Sequence, residues 1–187
     1  SAVSGRERTT TGSTTLIKSN LNAKREWFEG YLKFDKYLLR KRSVHLGLFF
    51  EGNISSLPLF QNYTASNLIS PSFAPLPENR TIFQRQYRAR SYAGAGIKAI
   101  YSYRDVIDLR AELYLYQPYE QIIQNPDGSA SFAEEVESRN FIGTITAVYH
   151  SRLGPLAANL NYYEGQKEQF SFLVHFGYIL FNKRGLE

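Results

Sequence analysis

The stretch Asp105-Val-Ile-Asp-Leu-Arg-Ala-Glu-Leu-Tyr-Leu-Tyr116 decides the fold. Ile107, Leu109, Ala111, Leu113 and Leu115 share one parity; Asp108, Arg110, Glu112, Tyr114 and Tyr116 share the other. Strict alternation over this length is the period of a β-strand whose two faces meet different surroundings. Upstream, about Tyr87 to Tyr103 repeats it. Ala89, Ala93, Ala95, Ile97, Ala99 and Tyr101 oppose Arg88, Arg90, Tyr92, Gly94, Gly96, Lys98 and Ser102. Further out, Trp27 to Leu38 sets Phe28, Gly30, Leu32 and Phe34 against Glu29, Tyr31, Lys33 and Asp35. Ser43 to Gly52 sets Val44, Leu46, Leu48 and Phe50 against His45, Gly47 and Glu51. Downstream, strands are predicted from Asn140, from Leu156 and from Phe170, and a weaker one within Thr9 to Lys24. The segment Leu68 to Phe83 is rich in Pro and Ser and reads as loop with a turn of helix.

Composition agrees. The chain has 187 residues, with 14 Tyr and 13 Phe, a load that favours β structure. With no Cys, disulfides, thiolate metal sites and thiol nucleophiles are excluded. The absence of Met at Ser1 implies a processed product or a fragment. No run of 18 apolar residues occurs, so no membrane-spanning helix is expected. The net charge of +5 is mild, and no nucleic-acid-binding signature accompanies it.

The connections differ in length. Leu39 to Arg42, Tyr103-Arg104 and Ser151 to Gly154 are short; Asn53 to Gln86 and Gln117 to Arg139 are long. Only Glu164 to Lys167, which is short, departs from the alternation. One plain rim and one elaborated rim are what transmembrane β-barrels have, with short turns in the periplasm and long loops outside. Tilted strands of about 9–11 residues suffice to cross a bilayer. The fold expected is therefore all-β: an antiparallel up-and-down transmembrane β-barrel of about seven or eight strands, or the C-terminal half of a larger one. Residues 27–187 form the barrel region and 1–26 an N-terminal segment. Tyr101, Tyr103, Tyr149, Tyr162, Trp27, Phe28 and Tyr178, near strand ends, suit an interfacial aromatic girdle. The apolar faces should point outward, with Leu109, Leu113, Phe172 and Phe176 exposed while Arg110 and Glu112 point inward. Alternation alone leaves a soluble sandwich or barrel open, since there too one face is apolar and the other polar.

Several runs carry a family resemblance. They are Gly154-Pro-Leu-Ala-Ala-Asn-Leu-Asn-Tyr-Tyr163, Phe170 to Phe181 with Asn182-Lys-Arg-Gly-Leu-Glu187, Phe73-Ala-Pro-Leu-Pro-Glu-Asn-Arg-Thr-Ile-Phe83, and Tyr87-Arg-Ala-Arg-Ser-Tyr-Ala-Gly-Ala-Gly-Ile-Lys98. Together, over Tyr31 to Glu187, they resemble the bacterial surface antigen barrel of Bacteroidetes-type patatin-like phospholipases, within the superfamily of outer-membrane assembly factors. The resemblance implies an outer-membrane location with the C-terminus in the periplasm. It implies three partners: outer-membrane lipid, the barrel assembly machinery and an N-terminal hydrolase domain. His175, Gly177, Tyr178 and Phe181 resemble the terminal β-signal that the assembly machinery reads, although six residues follow Phe181.

No chemistry is expected in this chain itself. A patatin site needs a G-x-S-x-G elbow, and no such pattern occurs. Asp127-Gly128 lies in a polar loop where it is ordinary turn chemistry. His45, His150 and His175 are scattered, so no metal site and no cofactor is expected. The residues singled out are the charges Arg88, Arg90, Lys98, Asp108, Arg110 and Glu112, read as one lumen network. Lys98 is expected beside Asp108 or Glu112, with Arg110 bridging to a carboxylate. The function expected is a membrane-embedded segment that anchors or helps export a lipid hydrolase. The alternatives are a free-standing small barrel or pore, and a soluble β-barrel binding an apolar ligand.

Overall fold

The computed structural model describes residues 2–7, 25–60, 62–80, 82–104, 106–133, 139–152 and 154–177. The chain is all-β and antiparallel. Its strands are β1 (Ala2–Glu7), β2 (Arg25–Lys41), β3 (Val44–Ser55), β4 (Tyr92–Tyr103), β5 (Ile107–Pro118), β6 (Ile122–Gln124), β7 (Ala130–Phe132), β8 (Asn140–Ser151), β9 (Gly154–Tyr163) and β10 (Phe170–Phe176). One eight-stranded sheet runs in the order β1-β2-β3-β4-β5-β8-β9-β10, while β6 and β7 pair as a small hairpin of their own. Sequence neighbours pair throughout the large sheet, so this is an up-and-down meander. The order among the described residues is linear, from β1 to β10.

One expectation is corrected in detail. The strand placed at Tyr87 to Tyr103 begins only at Tyr92, because Arg85–Tyr87 forms a 3-10 turn. Arg88 and Ala89 make single bridges, to Ser72 and Gln121, rather than sheet ladder. Ala2–Glu7 is a strand that pairs with β2, and the weak strand expected within Thr9 to Lys24 lies outside the described residues.

The chain divides into two compact units. One takes Ser1–Leu32, Glu51–Ala93 and Pro118–Ser138; the other takes Lys33–Phe50, Gly94–Gln117 and Arg139–Glu187. The second is the sheet unit. In it Leu109 pairs with Ala147, Leu113 with Gly143, Thr144 with Asn161 and Phe172 with Leu160. Period-two alternation becomes a sharp sorting by face. Leu46, Leu48, Phe50, Ile97, Leu109, Leu113, Ile145, Leu160, Phe172 and Phe176 are exposed. Tyr114, Tyr116, Thr144, Asn159 and Asn161, on the opposite face, are buried together with Phe49, Ile142 and Val148. Leu113 is 47% exposed and Phe172 69%, whereas Tyr114 is fully buried. Arg110 and Glu112 lie on the buried side, each half-buried.

The first unit is built largely from the two long connections. Its core is Phe73, Leu76, Tyr87, Ala89, Tyr92 and Ile122. Helix α1 (Tyr63–Ile69) starts where the Asn62 side chain accepts from the Ala65 amide at 3.2 Å, an N-cap. It stops at Ser70, since Pro71 disfavours helical backbone in the residue before it. Beyond α1 the chain pairs across the loops. The Phe73 amide donates to the Tyr87 carbonyl (2.8 Å), Ala89 to Pro71 (3.3 Å), Arg90 to Glu120 (3.0 Å) and Tyr119 to Ser91 (3.0 Å). Ala133 donates to Gln121 at 2.9 Å, and Tyr63 to Gly128 at 3.2 Å. These bonds satisfy backbone groups that a loop-built core would otherwise bury unpaired.

Candidate functional site

In the sheet unit, the polar face of β2 to β8 carries the charges. Lys98 on β4 extends across β3 to Asp35 on β2, with Nζ 2.7 Å from both carboxylate oxygens. Adjacent strands stand about 4.8 Å apart, so this reach skips one strand. Gly47 on β3 lets the Tyr37 ring of β2 lie close against the strand. A Cβ there would lie 3.0 Å from Tyr37 Cδ1 and 3.1 Å from the Lys36 carbonyl oxygen. The Lys98 ammonium also sits 5.4 Å from the Phe49 ring centre, and Lys33 sits 5.0 Å from the same ring. Ammonium groups over an aromatic face gain from its quadrupole, most where water is scarce. The Phe49 ring in turn meets Tyr114 edge-on at 5.1 Å. Tyr114 lies against Gly96, where any Cβ would also meet the Leu113 carbonyl oxygen at 3.0 Å. Its hydroxyl donates to Glu112 at 2.5 Å.

A second cluster sits where β4, β5 and β8 approach the short turns. Asp108 accepts from the Ser102 hydroxyl at 2.7 Å. Its other oxygen lies 3.0 Å from His150 Nε2 and 3.5 Å from Arg110. The His150 amide donates to the Val106 carbonyl at 2.8 Å, which ties β8 to the β4–β5 turn. In that turn Arg104 takes φ 52°, a left-handed conformation that a tight hairpin requires. Ser, Asp and His meet here with the carboxylate in the middle. Nucleophilic activation needs the histidine between the serine and the acid, so this order clamps strands and prepares no nucleophile.

The network read from the sequence thus separates into three places. Lys98 and Glu112 belong to the cross-strand cluster with Asp35, and Lys98 pairs with Asp35 rather than with Asp108 or Glu112. Arg110 does approach a carboxylate, that of Asp108. Arg88 and Arg90 are not on the sheet at all. Arg88 donates to the carbonyls of Asn67, Leu68 and Ser70 at 2.9–3.3 Å, closing the C-terminal end of α1. Arg90 binds Glu120, Nε to Oε2 at 2.7 Å and Nη2 to Oε1, and its guanidinium lies 4.1 Å from the Phe132 ring centre. The Ser91 hydroxyl donates to Glu120 at 2.9 Å. Arg90 and Ser91 together hold the Glu120 carboxyl below the usual carboxylate range.

Several contributors lie on the polar parity of the strands but outside the six charges singled out. Buried Glu51 accepts from the Tyr92 hydroxyl at 2.9 Å, and that hydroxyl also reaches the Ser72 carbonyl at 3.2 Å. Buried Asn53 donates to Glu29 at 2.7 Å. On β8 and β9 the polar face is uncharged, with Thr144 donating to Asn161 at 2.6 Å. Among the described residues no group of three or more acidic or histidine side chains could hold a metal ion. Asp127 accepts from the Ser129 amide and hydroxyl and is a turn residue. Of the terminal motif, His175 and Gly177 are described. His175 is exposed on β10, and the Gly177 amide donates to the Pro155 carbonyl at 2.9 Å, extending the β9–β10 pairing. Tyr178 and Phe181 lie outside the described residues.

On the apolar face, a groove of about 610 Å³ runs over Ala99, Ala111 and Gly143 between Leu48, Ile145 and Leu160. No protein family, curated protein or solved structure that was compared matches this chain.

Proposed function

We propose that this chain is the membrane-embedded β-barrel segment of a bacterial outer-membrane protein, closed into a barrel by itself or with further strands, and that it anchors or helps export an N-terminal patatin-like lipid hydrolase. One observation carries the membrane half of the proposal. Leucine, isoleucine and phenylalanine side chains of β3, β4, β5, β8, β9 and β10 are exposed on one face, while Tyr114, Tyr116, Thr144 and Asn161 are buried on the other. A protein in water arranges these groups the opposite way, because contiguous apolar patches beyond a few hundred Å² are rare on soluble monomers. Lipid accepts an apolar face, and a sheet satisfies its backbone groups internally. Tyr101, Tyr103 and Tyr149, near the short turns, are about half exposed, as girdle residues are. The hydrolase half rests on the sequence resemblance.

The test is refolding with and without amphiphile. We expect folded chain only in detergent or lipid vesicles, with a gel mobility that changes on heating. A monodisperse folded monomer in plain buffer overturns the membrane reading. It favours the soluble alternative, whose apolar ligand would use the 610 Å³ groove. We expect no ester hydrolysis by this chain alone. Lipid hydrolysis by the protein from which it derives, lost when an elbow serine upstream is changed, tests the hydrolase half.

A further inference from the structure

We propose that the rim where β2, β4 and β8 end and β3, β5 and β9 begin is a binding surface for anionic phospholipid headgroups. This rests on the membrane-embedded reading and deepens it by naming the lipid class that the rim selects. Arg40, Lys41, Arg42, Arg104 and Arg152 stand there, all exposed and all in the sheet unit. Backbone bonds hold the three turns side by side. The Ser102 amide donates to the Ser43 carbonyl at 2.8 Å, and the His150 amide to the Val106 carbonyl at 2.8 Å.

Charge is one-sided along this rim. The sequence sets one acid among the five cations, Asp105, which lies outside the described residues. On the adjoining strands, Asp108 is already engaged by Ser102, His150 and Arg110. Among the described residues no carboxylate forms an ion pair with any of the five. The opposite ends of β8, β9 and β10 differ, since Arg139 and Lys167 stand there with Glu164 and Glu168 and the charges balance. Neighbouring turns along a sheet lie two strand spacings apart, roughly 10 Å. That is close to the screening length at about 0.1 M salt, so their fields overlap. The depth agrees with the charge. Tyr101, Tyr103 and Tyr149 flank the cations, each about half exposed, where an amphipathic ring meets headgroups. The Arg104 guanidinium lies 5.1 Å from the Tyr103 ring centre, which sets a cation at the height of that belt. Arginine meets two phosphate oxygens with two N–H groups, and lysine adds a point charge. Exposed Leu39, Val44 and Val106 beside the cations favour an amphiphile over a free anion.

Amide NMR on the whole chain, folded in zwitterionic dodecylphosphocholine micelles, tests this. Added phosphatidylglycerol should shift the amides of Arg40, Lys41, Arg42, Arg104 and Arg152 saturably and leave those of Arg139 and Lys167 in place. Added phosphatidylcholine should shift none of them. Arg104→Gln and, separately, Arg152→Gln should each weaken the phosphatidylglycerol affinity about fivefold, the scale of one interfacial cation. Arg139→Gln should leave it unchanged. Salt at about 1 M, where screening acts within about 3 Å, should remove most of the binding. Equal shifts with phosphatidylcholine, shifts that ignore salt, or a response to polyglutamate without one to phosphatidylglycerol each overturns the surface. If the chain folds in plain buffer, the membrane reading falls by itself, and cosedimentation with vesicles then decides the rim. A preference for phosphatidylglycerol over phosphatidylcholine vesicles upholds it, and equal binding overturns it.

Discussion

The unit built from the long connections and the unit built from the sheet bury opposite kinds of side chain. In the first, Phe73, Tyr87, Leu76 and Ile122 fill a core and polar groups grip the backbone around it. In the second, Leu109, Leu113, Phe172 and Phe176 are exposed, while Tyr114, Asn161 and Thr144 are buried. One chain therefore follows two burial rules. The lesson is that exposure reports the surrounding medium as much as the fold. An ordinary apolar core needs only water outside it. A face of bare leucine and phenylalanine is what the proposed membrane reading sets against lipid.

The comparison can be broken at its strongest point first. Phe73→Ala empties a fully buried site packed edge-on against Tyr92, at 5.9 Å between ring centres. It should lower stability by about 3–5 kcal/mol, read from urea unfolding in detergent. A loss under about 1 kcal/mol would mean that the connection unit has no independent core. Next comes Leu113→Arg, on the exposed apolar face. Against lipid it should cost about 2–4 kcal/mol, measured as the folded fraction in vesicles. Against water it should cost almost nothing, and that result reassigns the medium.

A smaller effect is expected from Gly96→Ala, where the new Cβ meets the Tyr114 ring and the Leu113 carbonyl oxygen. Overpacking of this kind costs about 1–3 kcal/mol. Adding Tyr114→Ala should recover part of the loss by removing the ring, and a cycle with no recovery would place the strain elsewhere. The smallest effect is a pH dependence in the connection unit. The folded-state pKa of Glu120 is depressed by Arg90. Its contribution is therefore present above the unfolded pKa, about 4.3, and is lost as pH falls through the lower folded value. Glu120→Gln should flatten this part of the acid-unfolding curve by up to about 1 kcal/mol. An unchanged curve would show that another carboxylate carries it.

Legibility followed the same divide. The sheet could be read because the period-two pattern survives along β3, β4, β5, β8 and β9, and because each strand pairs with its sequence neighbour. The connection unit could not, since its bonds join Pro71 to Ala89 and Ser91 to Tyr119 with no local period to announce them. The parity of Arg88 and Arg90 continues that of Tyr92 and so predicts them on the sheet, although the Arg85–Tyr87 turn precedes them and β4 begins only at Tyr92. Adjacency predicts a partner for Lys98 on β5, whereas it pairs with Asp35 on β2, two strands away on the other side of β4.

The cross-loop bonding also bears on the order of folding. Hairpins such as β8–β9 close over a few residues and lose little chain entropy in doing so. The segment holding Arg90 has to wait for Glu120, and the ladder is finished only when Ala133 arrives at Gln121. Non-local pairing of this kind slows the step in which it forms. Refolding should thus proceed in two stages, sheet hairpins early and the joined connections last, with Tyr119 and Ala133 gaining protection after Leu109 and Leu113 in pulse-labelled exchange. A nascent chain halted before Glu120 would carry its first hairpins, with Arg90 still lacking its partner.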